Sequence, residues 1–368
     1  MLKGLLLSAI ALLNANYGQN FQEQTFSLPK GISQISTDME WNGMTLFSKS
    51  GAELPKIWYE KDGQFLPWHN AEEDEVAQPE MLDLLFSGNA RKSILIKSEE
   101  PVEVVAHFFD TRIPNETLVT KFDPFDDDTF DDPRTGLAYK TVRPKFVSRS
   151  QWGADEKLRI WKSYRGTRNF FRSSIPEEKY ATRNFKASVS TRRNSQGKKL
   201  TWPIEKSPQI KKFIIHHTGE YVDEKRDPKE LMRAIYYYHT ISRGWGDIGY
   251  NYVIDKQGNI YEGRAGGPTA VGAHVYYHNL GSIGISLMGN FQYEKPTDAQ
   301  LKVLEILLAD HTNRFNVNPV GQSKFLGIMS DNISGHKDVT RKGHGTACPG
   351  KNLYALLPEI RKKVFALA

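Results

Sequence analysis

The segment Lys211–Glu220, KKFIIHHTGE, runs an apolar stretch into two adjacent histidines and then turns at Gly219. Apolar residues bounded by a turn describe a short buried strand. Its end carries groups with chemistry. Successive side chains on a strand point to opposite faces, so His216 and His217 are not equivalent.

Downstream the pattern stays α/β. PKELMRAIYYYHTISRG opens with Pro228 after Asp227, a good helix start, and sets Leu231, Ala234, Ile235 and Tyr238 on one face before Gly244. YNYVIDKQGNIYEGR reads as a hairpin turning at Gln257-Gly258-Asn259, and SIGISLMGN as a further buried strand. PTDAQLKVLEILLADHTNRF is a long helix in which Thr297 and Gln300 have capping-box spacing. Strands alternating with helices predict an α/β domain: a mixed central β-sheet flanked by helices.

Upstream the character changes. From about Gln24 to Arg112 short alternating segments such as KIWYEKDGQFLPW and VEVVAHFF are separated by Asp, Gly, Asn and Pro. This predicts an N-terminal all-β, sandwich-like domain over 20–118. His69 and His107 stand alone in it and are read as structural or surface residues. The acid- and proline-rich DPFDDDTFDDPRTG makes 119–145 a linker; it lacks the glycine-centred turn and closing carboxylate of a calcium loop. The second domain, 146–368, opens at FVSRSQWGADE and carries a basic insertion over 155–205 with interleaved aromatics. That mixture suits either a polyanion track or a solvated loop with aromatic anchors.

Bulk properties bound the function. The 368 residues fit about two domains of roughly 100–200 residues. A formal net charge of +6 favours anionic partners without choosing among nucleic acid, anionic lipid and cell-wall polymer. MLKGLLLSAIALLNANYGQ, with one early Lys and an apolar run from Leu5 to Leu13, reads as a signal peptide over 1–19, so the protein is expected to be exported, periplasmic or secreted. No segment is long and apolar enough to predict a transmembrane helix. No cysteine sits where a lipid anchor would be attached. The single cysteine, Cys348, excludes an intramolecular disulfide and needs another explanation in an oxidising compartment.

The segment SGHKDVTRKGHGTACPG, Ser334–Gly350, supplies that explanation. His336, His344 and Cys348, together with His216, are ligands of the kind that hold zinc, and a catalytic zinc takes three protein ligands with one position open. Cys348 lies in a glycine-rich loop where core packing is unexpected, which favours the ligand role. The spacing alone leaves His336 and His344 in competition.

Five ordered blocks, VSRSQWGA, FIIHHTG, DIGYNYVIDKQGNIYEGR, GAHVYYHNLGSIGISLMGNF and GHKDV with TACPG, run from about Phe146 to the end. In them the chain resembles the type 2 N-acetylmuramoyl-L-alanine amidases, and within these most closely the peptidoglycan recognition proteins. The resemblance implies zinc (Zn2+) held by His216, His336 and Cys348, with Tyr250 and Thr346 as catalytic residues beside it. Tyr250 is the tyrosine of DIGYNY. Thr346 stands two residues before the cysteine, where phage amidase lysozymes carry a lysine, and Ser286 stands where cytosolic recycling amidases carry a glutamate. Arg264 and His274 resemble groove positions that meet glycan or peptide. His217 is grouped with these substrate-side residues, although strand alternation suits it to a buried, supporting place. His344 then becomes a surface or substrate-side residue, and His239 and Trp245 are read as core.

The implied function is zinc-dependent hydrolysis of the amide between N-acetylmuramic acid and L-alanine in peptidoglycan. A peptidoglycan-binding protein without catalysis is the competing reading, and Cys348 argues against it because binders of this kind usually lack the cysteine. No nucleic-acid partner is expected, since no motif supports one. Departures from animal recognition proteins are the missing disulfide, the basic insertion and the β-rich N-terminal domain.

Overall fold

The computed structural model describes residues 20–68, 70–71, 78–113, 125–131, 138–160, 186–220, 226–275, 279–325, 327–340 and 345–368. The expected signal peptide, His69, His344 and the middle of the basic insertion lie outside the described residues. Contacts divide the chain into two units, 1–117 with 226–243, and 118–225 with 244–368.

The first unit is built on one antiparallel sheet. Its strands are β1 (Phe21–Leu28), β2 (Gly31–Ser48), β3 (Ile57–Lys61), β4 (Gln64–Trp68), β5 (Asn70–Ala71), β6 (Gln78–Leu82), β7 (Leu85–Ser98) and β8 (Val102–Phe109). The order is β1-β8-β2-β7-β3-β4, with β6 joining β2 and β5. The 18-residue β2 pairs with β7 from Gly31 to Met44, with register shifts between Ser36 and Trp41 and between Trp41 and Gly43, and with β8 from Gly43 to Ser48. Alternate residues such as Ile35, Leu46, Ile94, Ile96, Val104 and Phe108 form its core with Trp41 and Met44.

The same unit includes the helix α1 (Pro228–Tyr237), capped by the Asp227 side chain on the Lys229 amide and followed by a wide turn over Tyr238–Ser242. The sequence places this helix with the C-terminal domain, but hydrogen bonds tie it to the N-terminal strands. The Arg233 guanidinium donates to the Thr111 carbonyl at 2.5 Å, and the Tyr238 hydroxyl to Asp83 at 3.1 Å. Polar pairing of long-range partners decides the helix's allegiance, and its own periodicity carries no trace of that.

The second unit holds a mixed six-stranded sheet of β11 (Phe146–Val147), β14 (Lys212–His217), β15 (Tyr252–Ile254), β16 (Ile260–Glu262), β17 (Ser282–Leu287) and β20 (Ile333–Gly335), in the order β11-β16-β15-β17-β14-β20. Only β15 and β16 pair antiparallel, as the hairpin turning at Gln257–Asn259. Asp255 braces that turn by accepting from the amides of Gln257 and Asn259 and from the Tyr261 hydroxyl.

Strand period sorts the two faces. Phe213, Ile215, Ile283, Ile285, Leu287 and Ile333 pack with Leu304, Leu307 and Leu308 of helix α2 (Asp298–Phe315) and with Ile360 and Val364. Ile214, His216, Gly284 and Ser286 alternate with them and point to the opposite face. Helix α2 starts with the expected capping box of Thr297 and Gln300 and ends on Asn316 in the left-handed region. One residue departs from the reading of KKFIIHH as simply apolar: Lys212 is buried, and its ammonium donates to the carbonyls of Ser323, Ser330 and Asp331.

Three hairpins accompany the sheet: β9 with β10 (Phe125–Asp131 and Ala138–Pro144), β12 with β13 (Ser188–Arg193 and Lys199–Lys206), and β18 with β19 (Gln322–Phe325 and Ile328–Asp331). The first corrects the linker expectation. The acidic segment is paired from Phe125 opposite Pro144 to Asp131 opposite Ala138, because strand pairing rests on backbone partners, which composition does not reveal.

Candidate metal centre

Adjacent parallel strands bring the two histidines together. Ile215 of β14 pairs with Gly335 of β20, so the next residues, His216 and His336, emerge side by side at the carboxyl ends of both strands. Ligand sites of open α/β sheets lie at that edge. The rings sit 4.7 Å apart, and both residues are buried. Asp338 fixes the turn that follows β20 by accepting from the Gly335 amide at 2.9 Å and from the Tyr354 hydroxyl at 2.6 Å.

Cys348 arrives on a loop laced to that turn. The Lys337 amide donates to the Cys348 carbonyl at 3.1 Å, and the Cys348 amide to the Thr346 hydroxyl oxygen at 3.1 Å. Gly350, at φ +82°, passes so close to the backbone of Phe291 and Gln292 that a side chain there has no room. The thiol sulfur thereby comes to 3.6 Å from His216 Nδ1.

The candidate ligand atoms of His216, His336 and Cys348 all lie within 4.8 Å of one another. Two imidazoles and a thiolate are a zinc donor set, and tetrahedral bonds of about 2.05 Å to nitrogen and about 2.3 Å to sulfur put such atoms about 3.6 Å apart. The residues present fit the ion. The His216 imidazole is also in the protonation state a metal requires, since burial first, and the neighbouring His336 and His274 next, hold it well below its ordinary value.

The other nitrogen of His216 is held from behind. Nε2 lies 3.0 Å from His274 Nδ1, and His274 Nε2 lies 3.3 Å from the Ser282 hydroxyl, which donates to the Asn279 carbonyl. The Asn279 side chain accepts from the amides of His274 and Val275. Gly284 makes the chain of contacts possible: a side chain at this strand position would run into the His274 ring. His274 is buried and pushed down to about 3 by burial, so it is neutral near pH 7. Sequence reading expected His274 in the substrate groove. The structure places it behind His216, where it orients the imidazole.

The remaining candidates divide between cleft and support. Tyr250 is buried with its ring 5.3 Å from that of His216, and its carbonyl accepts from the Arg264 amide at 2.8 Å. Thr346 is half-buried on the cysteine loop; its oxygen accepts from Cys348, which leaves its hydroxyl proton to be donated. His217 points away, with Nδ1 accepting from the Phe291 amide at 3.1 Å and its ring against Phe291. Arg264, expected on the groove, is buried: it donates to the carbonyls of Ile248 and Trp245 and lies over the Trp202 ring at 5.3 Å. Burial pulls its guanidinium down to about 10, still charged at neutral pH. His239 and Trp245 are buried, in keeping with the core reading.

Sequence reasoning missed Ser282, Asn279 and Asn251. Asn251 cross-links two segments, donating to the Ala270 carbonyl and accepting from the Gly284 amide, both at 2.9 Å. All three lie inside the matched blocks, but as small polar residues they carry no signal of their own. Ser286, opposite His216 across the strand pair, is buried with its hydroxyl unpaired among the described residues.

Comparison with known proteins bears on the same region. The N-acetylmuramoyl-L-alanine amidase family profile matches residues 206–351. Peptidoglycan-recognition protein SC2 of Drosophila simulans is 34% identical over 159 residues, which cover 43% of this chain and 78% of that protein. The human N-acetylmuramoyl-L-alanine amidase is 34% identical over 128 residues, 34% of this chain and 19% of that one. Among solved structures, wild-type Drosophila PGRP-LB aligns over 57% of this chain and 91% of its own at 26% identity, with a TM-score of 0.37.

Proposed function

The chain belongs to the family of N-acetylmuramoyl-L-alanine amidases and peptidoglycan-recognition proteins, and from that premise we propose that it is a zinc amidase that cleaves the bond between N-acetylmuramic acid and L-alanine in peptidoglycan. The observation that carries the reading is the convergence of Cys348 Sγ with the buried imidazoles of His216 and His336. A binding protein has no need of a buried thiol in that position.

Zinc held by these three side chains supplies Lewis acidity and acidifies water for attack near neutral pH. The protein's own groups do the rest. His274 fixes the tautomer and direction of His216, as a hydrogen-bonded partner of a metal ligand does. Hydrolysis adds the oxygen of water to the amide carbon, breaks the C–N bond and releases the amine of L-alanine with the transferred proton. Negative charge develops on the carbonyl oxygen, and in this reading the hydroxyls of Tyr250 and Thr346 donate to it. Neither offers a positive charge, so their help is dipolar. Acting on a wall polymer agrees with the export expected from the sequence of the N-terminal segment.

The test measures zinc stoichiometry on the purified protein and release of stem peptides from cell-wall peptidoglycan. One zinc per chain with release of peptides bearing a free N-terminal alanine is expected, and Cys348→Ala should abolish both. Binding to the wall without cleavage at any pH would sink the catalytic reading and leave a recognition protein.

A further inference from the structure

The β12–β13 hairpin has no place in the chemistry described so far. Of residues 186–206, six are Lys or Arg and one, Glu205, is acidic. Lys186, Arg192, Arg193, Lys198 and Lys199 are exposed, and all but Lys186 gather at the tip. The tip is ordered by Asn194, whose side chain accepts from the amides of Gln196 at 3.0 Å and Lys198 at 2.8 Å. Arg193 donates to the Gly197 carbonyl across the turn. Like charges on a well-formed turn repel one another, and such a cluster attracts polyanions.

The base of the hairpin is tied to the loop over 266–271, between Arg264 and His274. Lys206 donates to the Gly266 carbonyl, the Val271 amide donates to the Glu205 carbonyl at 2.9 Å, and the Ser207 amide to the Thr269 carbonyl at 2.8 Å. Trp202 lies against Arg264, whose amide is bonded to the Tyr250 carbonyl, and Gly246 leaves the space Trp202 fills. Strand β13 runs from Lys199 to Lys206, so roughly 23 Å separate tip and base at about 3.3 Å per residue. A short ligand bound at the metal residues is smaller than that span, whereas a polymer is long enough to cover it.

We propose that this hairpin is a cationic arm of the substrate site, gripping carboxylates of a polymeric glycopeptide at a distance from the bond that is cut. The inference rests on the amidase reading and adds to it a preference for polymer over short fragments. Attachment of the arm's base to the loops around Tyr250 and Arg264 favours the substrate over an unrelated polyanion. Exposed ion pairs are individually weak and screened by salt, so the grip comes from several of them acting together.

The experiment compares the full chain with a variant carrying Arg192→Ser, Arg193→Ser, Lys198→Ser and Lys199→Ser. Substrates are peptidoglycan stripped of phosphate polymers and a soluble disaccharide-peptide fragment. The ratio of kcat/KM on polymer to that on fragment should fall about tenfold, through KM, and raising salt should reproduce the loss in the parent while barely affecting the variant. The pair Arg192→Lys and Arg193→Lys should behave as the parent. An unchanged ratio overturns the proposal, and so does a parent whose polymer preference vanishes when phosphate polymers are removed. Should the parent cut neither substrate, the amidase reading fails alone. Cosedimentation of Cys348→Ala with stripped polymer, with and without the four serines, still decides the role of the arm.

Discussion

Each of the two units buries a histidine in a network, and the two networks serve different ends. In the N-terminal sheet His107 of β8 has Nε2 2.9 Å from Glu23 and Nδ1 2.9 Å from the Ser242 hydroxyl, with Phe21, Phe47 and Phe109 around the ring. Both nitrogens are spent on protein partners, and the side chain stitches β1 to the turn after α1. His216 of β14 has one nitrogen turned to His274 and the other to Cys348, with His336 beside it. A buried imidazole is a fastener when both nitrogens meet ordinary donors and acceptors, and a ligand when one of them meets other ligands. Topology produces the difference, because parallel strands of the second sheet end together at one edge and antiparallel neighbours do not.

The contrast is sharpest at the sulfur. Cys348→Ala should cost at least about 10³-fold in kcat and lose the bound zinc, since a Lewis acid contributes several kcal/mol to the transition state. Its thermal unfolding in the metal-free state should change little. Tyr250→Phe comes next: zinc content stays at the parent level and kcat falls about 10²-fold, the loss for one oxyanion donor. A Tyr250→Phe enzyme with parental kcat would return that ring to mere packing.

His274→Ala should then weaken zinc affinity about 10- to 100-fold, measured by competition with a chelator, while leaving the three ligands in place. The matching change in the other unit, His107→Leu, should leave zinc and kcat alone and lower stability by about 1–3 kcal/mol, because Glu23 and Ser242 lose a buried partner. If His107→Leu released zinc, the distinction between fastener and ligand would collapse.

Acid separates the units in a graded way. His216 and His274 stay neutral in the folded, metal-free protein where the unfolded chain protonates below about pH 6.5. The unfolded state binds more protons there, so stability is full above about 6.5 and declines as pH falls, for His274 until about 3. For His274 the loss between pH 6.5 and 5 is roughly 1–2 kcal/mol. Denaturant titration of the apoprotein reads it, and bound zinc should suppress it, because a metal-held imidazole takes no proton. A flat profile over that interval would show these rings to be hydrated.

Much of the site was legible in the residues. HH at a strand end, GHKD and the cysteine before Pro-Gly are local patterns, and together they named the three side chains that converge. The helix 298–315 was legible from its cap and its apolar stripe, and the β15–β16 hairpin from its turn. Other placements were not legible, for a common reason. His274 and Arg264 read as groove residues because they are polar and close to the motif, yet a position in sequence does not tell whether a side chain leaves the cleft or backs it. The acidic stretch read as a linker because strand pairing in a charged segment depends on a partner seven or more residues away.

The amino-acid sequence alone determined the alternation that sends His216 and His217 to opposite faces, the caps that bound the long helix, and the local motifs that carry the candidate donors, since each follows from neighbours within a few residues. Only the tertiary structure decided that helix 228–237 joins the N-terminal sheet, that Gly284 makes room for His274 behind His216, and that the basic hairpin is rooted on the loop before His274. Those contacts pair segments tens to more than a hundred residues apart, and their register is set by packing and backbone hydrogen bonds that no local pattern encodes.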